Sequence, residues 1–210
     1  MRLILVRHGQ SEANLARKIQ GQSDGDLTEQ GHREAELTAL RIADLGPIHA
    51  IYTSPQQRAL KTAAAIGARL GGTPIVVDGL REINLGVIDG LNSEESEALY
   101  PGLLKRWADD DLALVFPDGE PLLSSYQRAV DVIHGIVNNH PDQSVVVVTH
   151  GGVLAAYLSY TLDGRFSIKR IYGLHNCGIT VLDINGDGTA KVFSYDEHGH
   201  LAFLQKEGPS

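Results

Sequence analysis

Four short, largely apolar runs most narrow what this chain can fold into: Leu3–Val6, Ala50–Thr53, Ile75–Val77 and Val145–Thr149. They lack the strict polar alternation of a strand with one wet face, so they suit strands buried on both sides, as in a parallel sheet. Helical patterns lie between them. Thr28–Leu45 opens on a capping Thr and spaces Leu37, Leu40 and Leu45 along one face. Pro55–Leu70 begins with proline and stops at Gly71-Gly72, Ser124–His140 runs up to Pro141, and a further helix follows His150. Strands alternating with helices predict an α/β fold: a three-layer α/β/α sandwich on a mostly parallel central sheet. Ile179–Ile184 and Ala190–Tyr195, around Asn185-Gly186-Asp187-Gly188, predict a C-terminal β-hairpin at the sheet edge.

At 210 residues, the chain is expected to form a single domain, 1–210, with an insertion of loops and short helices at about 83–123. That insertion holds the only tryptophan, Trp107, and a run of acids. A domain of this size buries enough surface to fold without crosslinks, and the lone Cys177 excludes a disulfide framework. Lys and Arg number 18 against 26 Asp and Glu, a formal net charge of −8. That argues against nucleic-acid and membrane surfaces as partners. No apolar run is long enough to span a bilayer, and the first residues do not look like a cleavable leader, so a cytoplasmic protein is expected.

Three motifs attract attention and fail on context. Gly21-Gln22-Ser23-Asp24-Gly25 has the spacing of a nucleophile elbow without a strand before it or a helix after it. Asp183–Gly188 imitates the start of a calcium loop, but Ser194 stands where a bidentate Glu is needed. His198-Gly199-His200 could chelate a metal, yet two histidines near a terminus are ordinarily just solvated. No metal and no cofactor is expected.

The chemistry gathers at predicted strand ends, where ligands bind in parallel sheets. Arg7-His8-Gly9 follows the first strand, Ser54-Pro55-Gln56-Gln57-Arg58 the second, and Thr149-His150-Gly151-Gly152 the fourth. Alone, Arg7-His8 could be a surface cation and a capping histidine. Together, two histidines and two arginines on one sheet edge, in an acidic chain, form an anion site. Arginine forks match phosphate oxygens, and helix N-termini add backbone donors.

With these residues the chain resembles the histidine phosphatase superfamily, in the branch of phosphoglycerate mutases and small bacterial phosphatases. The likeness runs through Leu5–Asn14, Gln20-Gly21 with Asp24 and Leu27-Thr28, Ser54-Pro55-x-x-Arg58-Ala59-x-x-Thr62-Ala63, Leu80-Arg81-Glu82 and Thr149–Gly152, and more weakly Asn176–Ile179. It implies that His8 is the nucleophile that becomes phosphohistidine and that Arg7, Arg58 and His150 clamp the phosphoryl group, with Asn14 assisting. It also implies that Glu82 is general acid, then general base, and that Gln20, Gly21 and Gly151 border the substrate. The residue types suit these roles, since a neutral imidazole can attack phosphorus and arginines can carry the charge that other enzymes give to metal. Ile88 and Asp89 stand where the family usually has Trp and Glu, and Asp118 replaces a Gly of its Phe-Pro-Gly-Gly pattern. Those changes fall in the leaving-group pocket, which Arg106 and Trp107 could line.

Three functions follow: a metal-independent phosphomonoesterase for a small phosphorylated metabolite, a phosphoglycerate mutase, or a non-catalytic phosphate-binding protein. Every proposed catalytic position holds a competent residue, which disfavours the last. The acidic excess of 83–123 disfavours a doubly anionic phosphoglycerate, and hence the mutase. A homodimer stays open as the assembly state.

Overall fold

The computed structural model describes residues 1–167 and 174–204; the remaining parts of the expected 1–210 domain lie outside the described residues. The strands β1 (Arg2–Arg7), β2 (Ala50–Thr53), β3 (Ile75–Val76), β4 (Ser144–Thr149), β5 (Ile179–Ile184) and β6 (Ala190–Glu197) form one sheet in the order β3-β2-β4-β1-β5-β6. The pairs among β1 to β4 are parallel. The expected hairpin, β5–β6, adds antiparallel to β1. The calcium-like loop is its turn: the Asp187 carboxylate accepts from Thr189 N and Oγ1.

Among the described residues seven α-helices join them: α1 (Glu12–Leu15), α2 (Glu29–Ala43), α3 (Gln57–Leu70), α4 (Ser93–Leu99), α5 (Leu103–Ala108), α6 (Leu122–Asn138) and α7 (Gly151–Asp163). Alternate residues of the central strands face opposite layers. Leu3, Leu5, Val145 and Val147 share a core with α6 and α7, whereas Ile4, Val6, Val146 and Val148 share one with α2 and α3. Each large aliphatic side chain buried this way contributes about 1.5–3 kcal/mol, which is why both faces of these strands had to be apolar.

Boundaries and faces differ from expectation in detail. Helix α3 starts two residues after Pro55, and α6 is shifted toward the N-terminus of the expected span. Thr28 caps α2 as expected, its Oγ1 accepting from Gly31 N at 3.0 Å. The buried stripe of α2, however, is Gly31, Ala35, Thr38, Ala39 and Ile42, and Leu40 is 45% exposed. Small residues on that stripe let α2 lie close to α3, which buries Ala59, Ala63 and Gly67.

The 83–123 segment contains the expected short helices, α4 and α5. Its Leu85, Ile88, Leu103, Leu114 and Phe116 join the core beneath α6 and α7. Gly86 (φ 53) pins it: a Cβ there would lie 1.9 Å from the Pro117 carbonyl. Among the described residues, no helix is long and apolar enough to cross a membrane.

Candidate active site

The carboxyl ends of β1, β2 and β4 bring His8, Arg58 and His150 into one buried cluster, with Arg7 and Glu82 beside them. His8 is 3% exposed and His150 is wholly buried, their ring centroids 5.2 Å apart. His8 Nδ1 lies 2.8 Å from the Gly9 carbonyl. A carbonyl only accepts, so Nδ1 carries the proton and Nε2 of the neutral ring keeps its lone pair. Burial, then the charges of Arg7 and Arg58, hold the His8 pKa well below the ordinary imidazole value. The ring is therefore neutral at pH 7.

Arg58 is 1% exposed and anchors through Nη1 to the Ser23 carbonyl (2.9 Å) and Nη2 to the Gly21 carbonyl (2.8 Å). Burial lowers its pKa to about 10, which leaves it cationic at neutral pH. Arg7 is lowered by burial too, and its Nη1 donates to the Leu174 carbonyl at 2.5 Å. His150 Nε2 pairs with Ser54 Oγ at 2.7 Å, while burial first, then Arg58, keeps this imidazole neutral as well. Among the described residues, Arg7 Nε, Arg58 Nε and His150 Nδ1 are buried without a hydrogen-bond partner. Leaving such groups unpaired costs about 1–3 kcal/mol each, more when charged. The two arginine Nε–H groups are donors that an oxyanion can satisfy.

Glu82 Oε1 accepts from Ile83 N (2.9 Å) and Oε2 from Gly152 N (3.0 Å). These bonds and both arginines favour the carboxylate, but burial outweighs them and raises the pKa above the ordinary range. Gly152 is required here, since a Cβ would lie 2.5 Å from Glu82 Oε1.

The other expected substrate residues sit at the margin. Asn14 Oδ1 accepts from Ser11 N and from Asn176 Nδ2 (3.0 Å). Gln20 Oε1 accepts from Ser11 Oγ. Gly21 gives its carbonyl to Arg58 and its N–H to Asp89. Gly151, first in α7, lies beside the Arg7 side chain. Of the residues expected to line a leaving-group pocket, Arg106 is paired with Asp111 (2.7 Å), and Trp107 packs edge-on against Phe116.

Sequence reasoning gave the residues that brace the site no role. Thr62 Oγ1 accepts from Gly9 N and donates to the Arg58 carbonyl, so it ties the β1 loop to α3. Gln56 links the Gly21 carbonyl to the Glu82 backbone. Asn176 donates to the His8 carbonyl at 2.9 Å. Asp89 accepts from Gly21 N, Ser23 N and Ser23 Oγ, so the Asp that replaces the family's Glu holds the loop on which Arg58 rests.

Buried arginine forks and helix N-termini at strand ends can hold an oxyanion. The chain belongs to the histidine phosphatase superfamily (branch 1), which matches residues 3–197. It is 37% identical over 164 residues to the glucosyl-3-phosphoglycerate phosphatase of Mycolicibacterium vanbaalenii, covering 74% of this chain and 71% of that one. It is 31% identical over 208 residues to phosphoglycerate mutase-like protein 4 of Arabidopsis thaliana, covering 97% and 89%. A solved structure of mycobacterial glucosyl-3-phosphoglycerate phosphatase with VO3 matches with a TM-score of 0.85 at 29% identity, covering 94% of this chain and 99% of that one. The superfamily and its phosphatase members indicate an enzyme that hydrolyses phosphomonoesters.

Proposed function

We propose that this chain is a metal-independent phosphomonoesterase for a small phosphorylated metabolite, working through a phosphohistidine on His8. The observation that carries the reading is the pair of buried, unpaired arginine Nε donors beside a neutral imidazole whose Nε2 lone pair is free. His8 Nε2 attacks phosphorus as the P–O bond to the leaving group breaks. Glu82, whose pKa burial raises, gives its proton to the departing oxygen. The resulting carboxylate then takes a proton from water, which attacks phosphorus, breaks the P–N bond and releases phosphate. Arg7, Arg58 and His150 stabilise the charge on the equatorial oxygens in both steps.

A mutase is the second reading, favoured by the name of the Arabidopsis relative. It would need basic groups for a substrate carboxylate, and Arg81, next to Glu82, is paired with Asp78 at 2.6 Å. Hydrolysis of an aryl phosphate in excess chelator, with an acid-labile phosphoryl label trapped on the wild type and absent from His8→Ala, tests the proposal. Activity lost to chelator and restored by a divalent ion overturns the metal-free step, and label retained on His8→Ala overturns the nucleophile. Incubation with 3-phosphoglycerate and a bisphosphoglycerate primer separates the readings, because rapid 2-phosphoglycerate formation with little free phosphate makes the enzyme a mutase.

A further inference from the structure

Behind the segment that braces Arg7 and His8 lies a second cluster, unused by phosphoryl transfer. His175 precedes Asn176, Asp196 lies at the end of β6, and His198 follows that strand. Asp196 is buried, with its backbone in the left-handed region (φ 43). Its Oδ1 accepts from His175 N at 2.9 Å and its Oδ2 from His175 Nδ1 at 2.6 Å. Its own carbonyl accepts from His198 Nδ1 at 2.7 Å. The two imidazoles stack, with centroids 3.9 Å apart and planes 26° apart. Gly178 makes room for this arrangement, because a Cβ there would lie 2.1 Å from Asp196 Oδ1.

The hydrogen bonds fix both tautomers. A backbone carbonyl and a carboxylate oxygen accept here, so each ring donates from Nδ1 and Nε2 is its remaining ligand atom. Metal-binding histidines are held in this way, the second nitrogen giving its proton to a carboxylate or carbonyl that orients the ring. Ligand-capable atoms of His175, Asp196 and His198 all lie within 4.8 Å of one another. Both rings are partly open to solvent, so an ion has a path to them. Imidazole pairs select zinc-like transition metals over magnesium or calcium, which prefer oxygen ligands.

We propose that His175 and His198, oriented by Asp196, bind one divalent transition-metal ion of the zinc type, with water completing its coordination. The sequence pairs His198 with His200; the fold pairs it with His175 instead.

The test is zinc uptake by the chelator-stripped full-length protein, measured by equilibrium dialysis. One saturable equivalent is expected in the wild type, bound at least tenfold more weakly by His198→Gln and unchanged by His32→Gln, an exposed histidine elsewhere. No saturable uptake, or equal uptake by His198→Gln, overturns the proposal. Should His198→Gln fail to fold, the wild type suffices: paramagnetic Co2+ must broaden the His175 and His198 ring resonances first. Broadening of other histidines instead is equally fatal.

Discussion

In the strand-end pocket the charged groups are cations, buried and partly unpaired: Arg7 and Arg58 each keep a buried Nε without a partner among the described residues. In the 83–123 segment they are mostly acids near the surface, many tied to neighbours. Asp109 pairs with Lys105, Asp111 with Arg106, and Glu120 with Arg128. Glu95 accepts from the N–H of Asn92, the N-cap of α4, and Asp89 holds the Gly21–Ser23 loop. A structural region satisfies its polar groups internally, whereas a binding site holds some open for its ligand. The acidity read from composition as a repelling lid is therefore largely spent on building the segment.

Breaking the pocket side should have the largest effect. Arg58→Lys keeps a cation but loses the fork that spans the Gly21 and Ser23 carbonyls and, with it, the unpaired Nε. A fall of about a thousandfold in kcat/KM is expected, the upper range for a preorganised donor. A loss under tenfold would mean that Arg58 is only a strut.

Glu82→Gln should cost about a hundredfold in kcat, as for removal of a general acid. The pH profile sharpens it. His8 must be neutral, so activity rises as pH climbs through its lowered pKa, and that limb lies well below pH 6.5. Glu82 must be protonated, so activity falls as pH climbs through its raised pKa. The alkaline limb should vanish in Glu82→Gln while the acid limb stays; an unchanged bell would exclude Glu82 as the acid.

The same contrast explains what the sequence could disclose. Leu3–Val6 and Val145–Thr149 were legible because burial on both faces leaves no room for polar residues. His8, Arg58 and His150 were legible because a parallel sheet gathers its strand ends at one edge. The packed face of α2 was not, because close helix contact selects Ala35 and Ala39 over the bulkier Leu37 and Leu40. Thr62, Asn176 and Asp89 are common polar residues whose roles depend on what the fold sets against them. The His175–Asp196–His198 cluster was hidden for the same reason, since only the β5–β6 pairing brings it together.

Cutting the tie between the two regions should give an intermediate effect. Asp89→Ala removes three hydrogen bonds from Gly21 and Ser23, whose carbonyls position Arg58. Bonds to a charged group are worth about 1.5–3 kcal/mol each, though water will replace part of that at this exposed edge. Steady-state kinetics should show KM raised about tenfold with kcat changed less than threefold. Equal losses in both would place Asp89 in the chemistry rather than in the scaffold.

Arg106→Ala should do least. From sequence, Arg106 is a candidate to line the leaving-group pocket, where loss of a cation would weaken an anionic substrate severely. The fold instead places it on α5, with its side chain about half exposed and its Nε 2.7 Å from Asp111. An exposed pair of this kind is worth about 0–1 kcal/mol, and salt screens it further. We therefore expect kcat/KM within twofold of wild type across a panel of phosphorylated metabolites, and the same at low and high salt. A tenfold loss confined to substrates carrying a second negative charge would show that Arg106 leaves Asp111 to meet them, and that the 83–123 segment reads the leaving group after all.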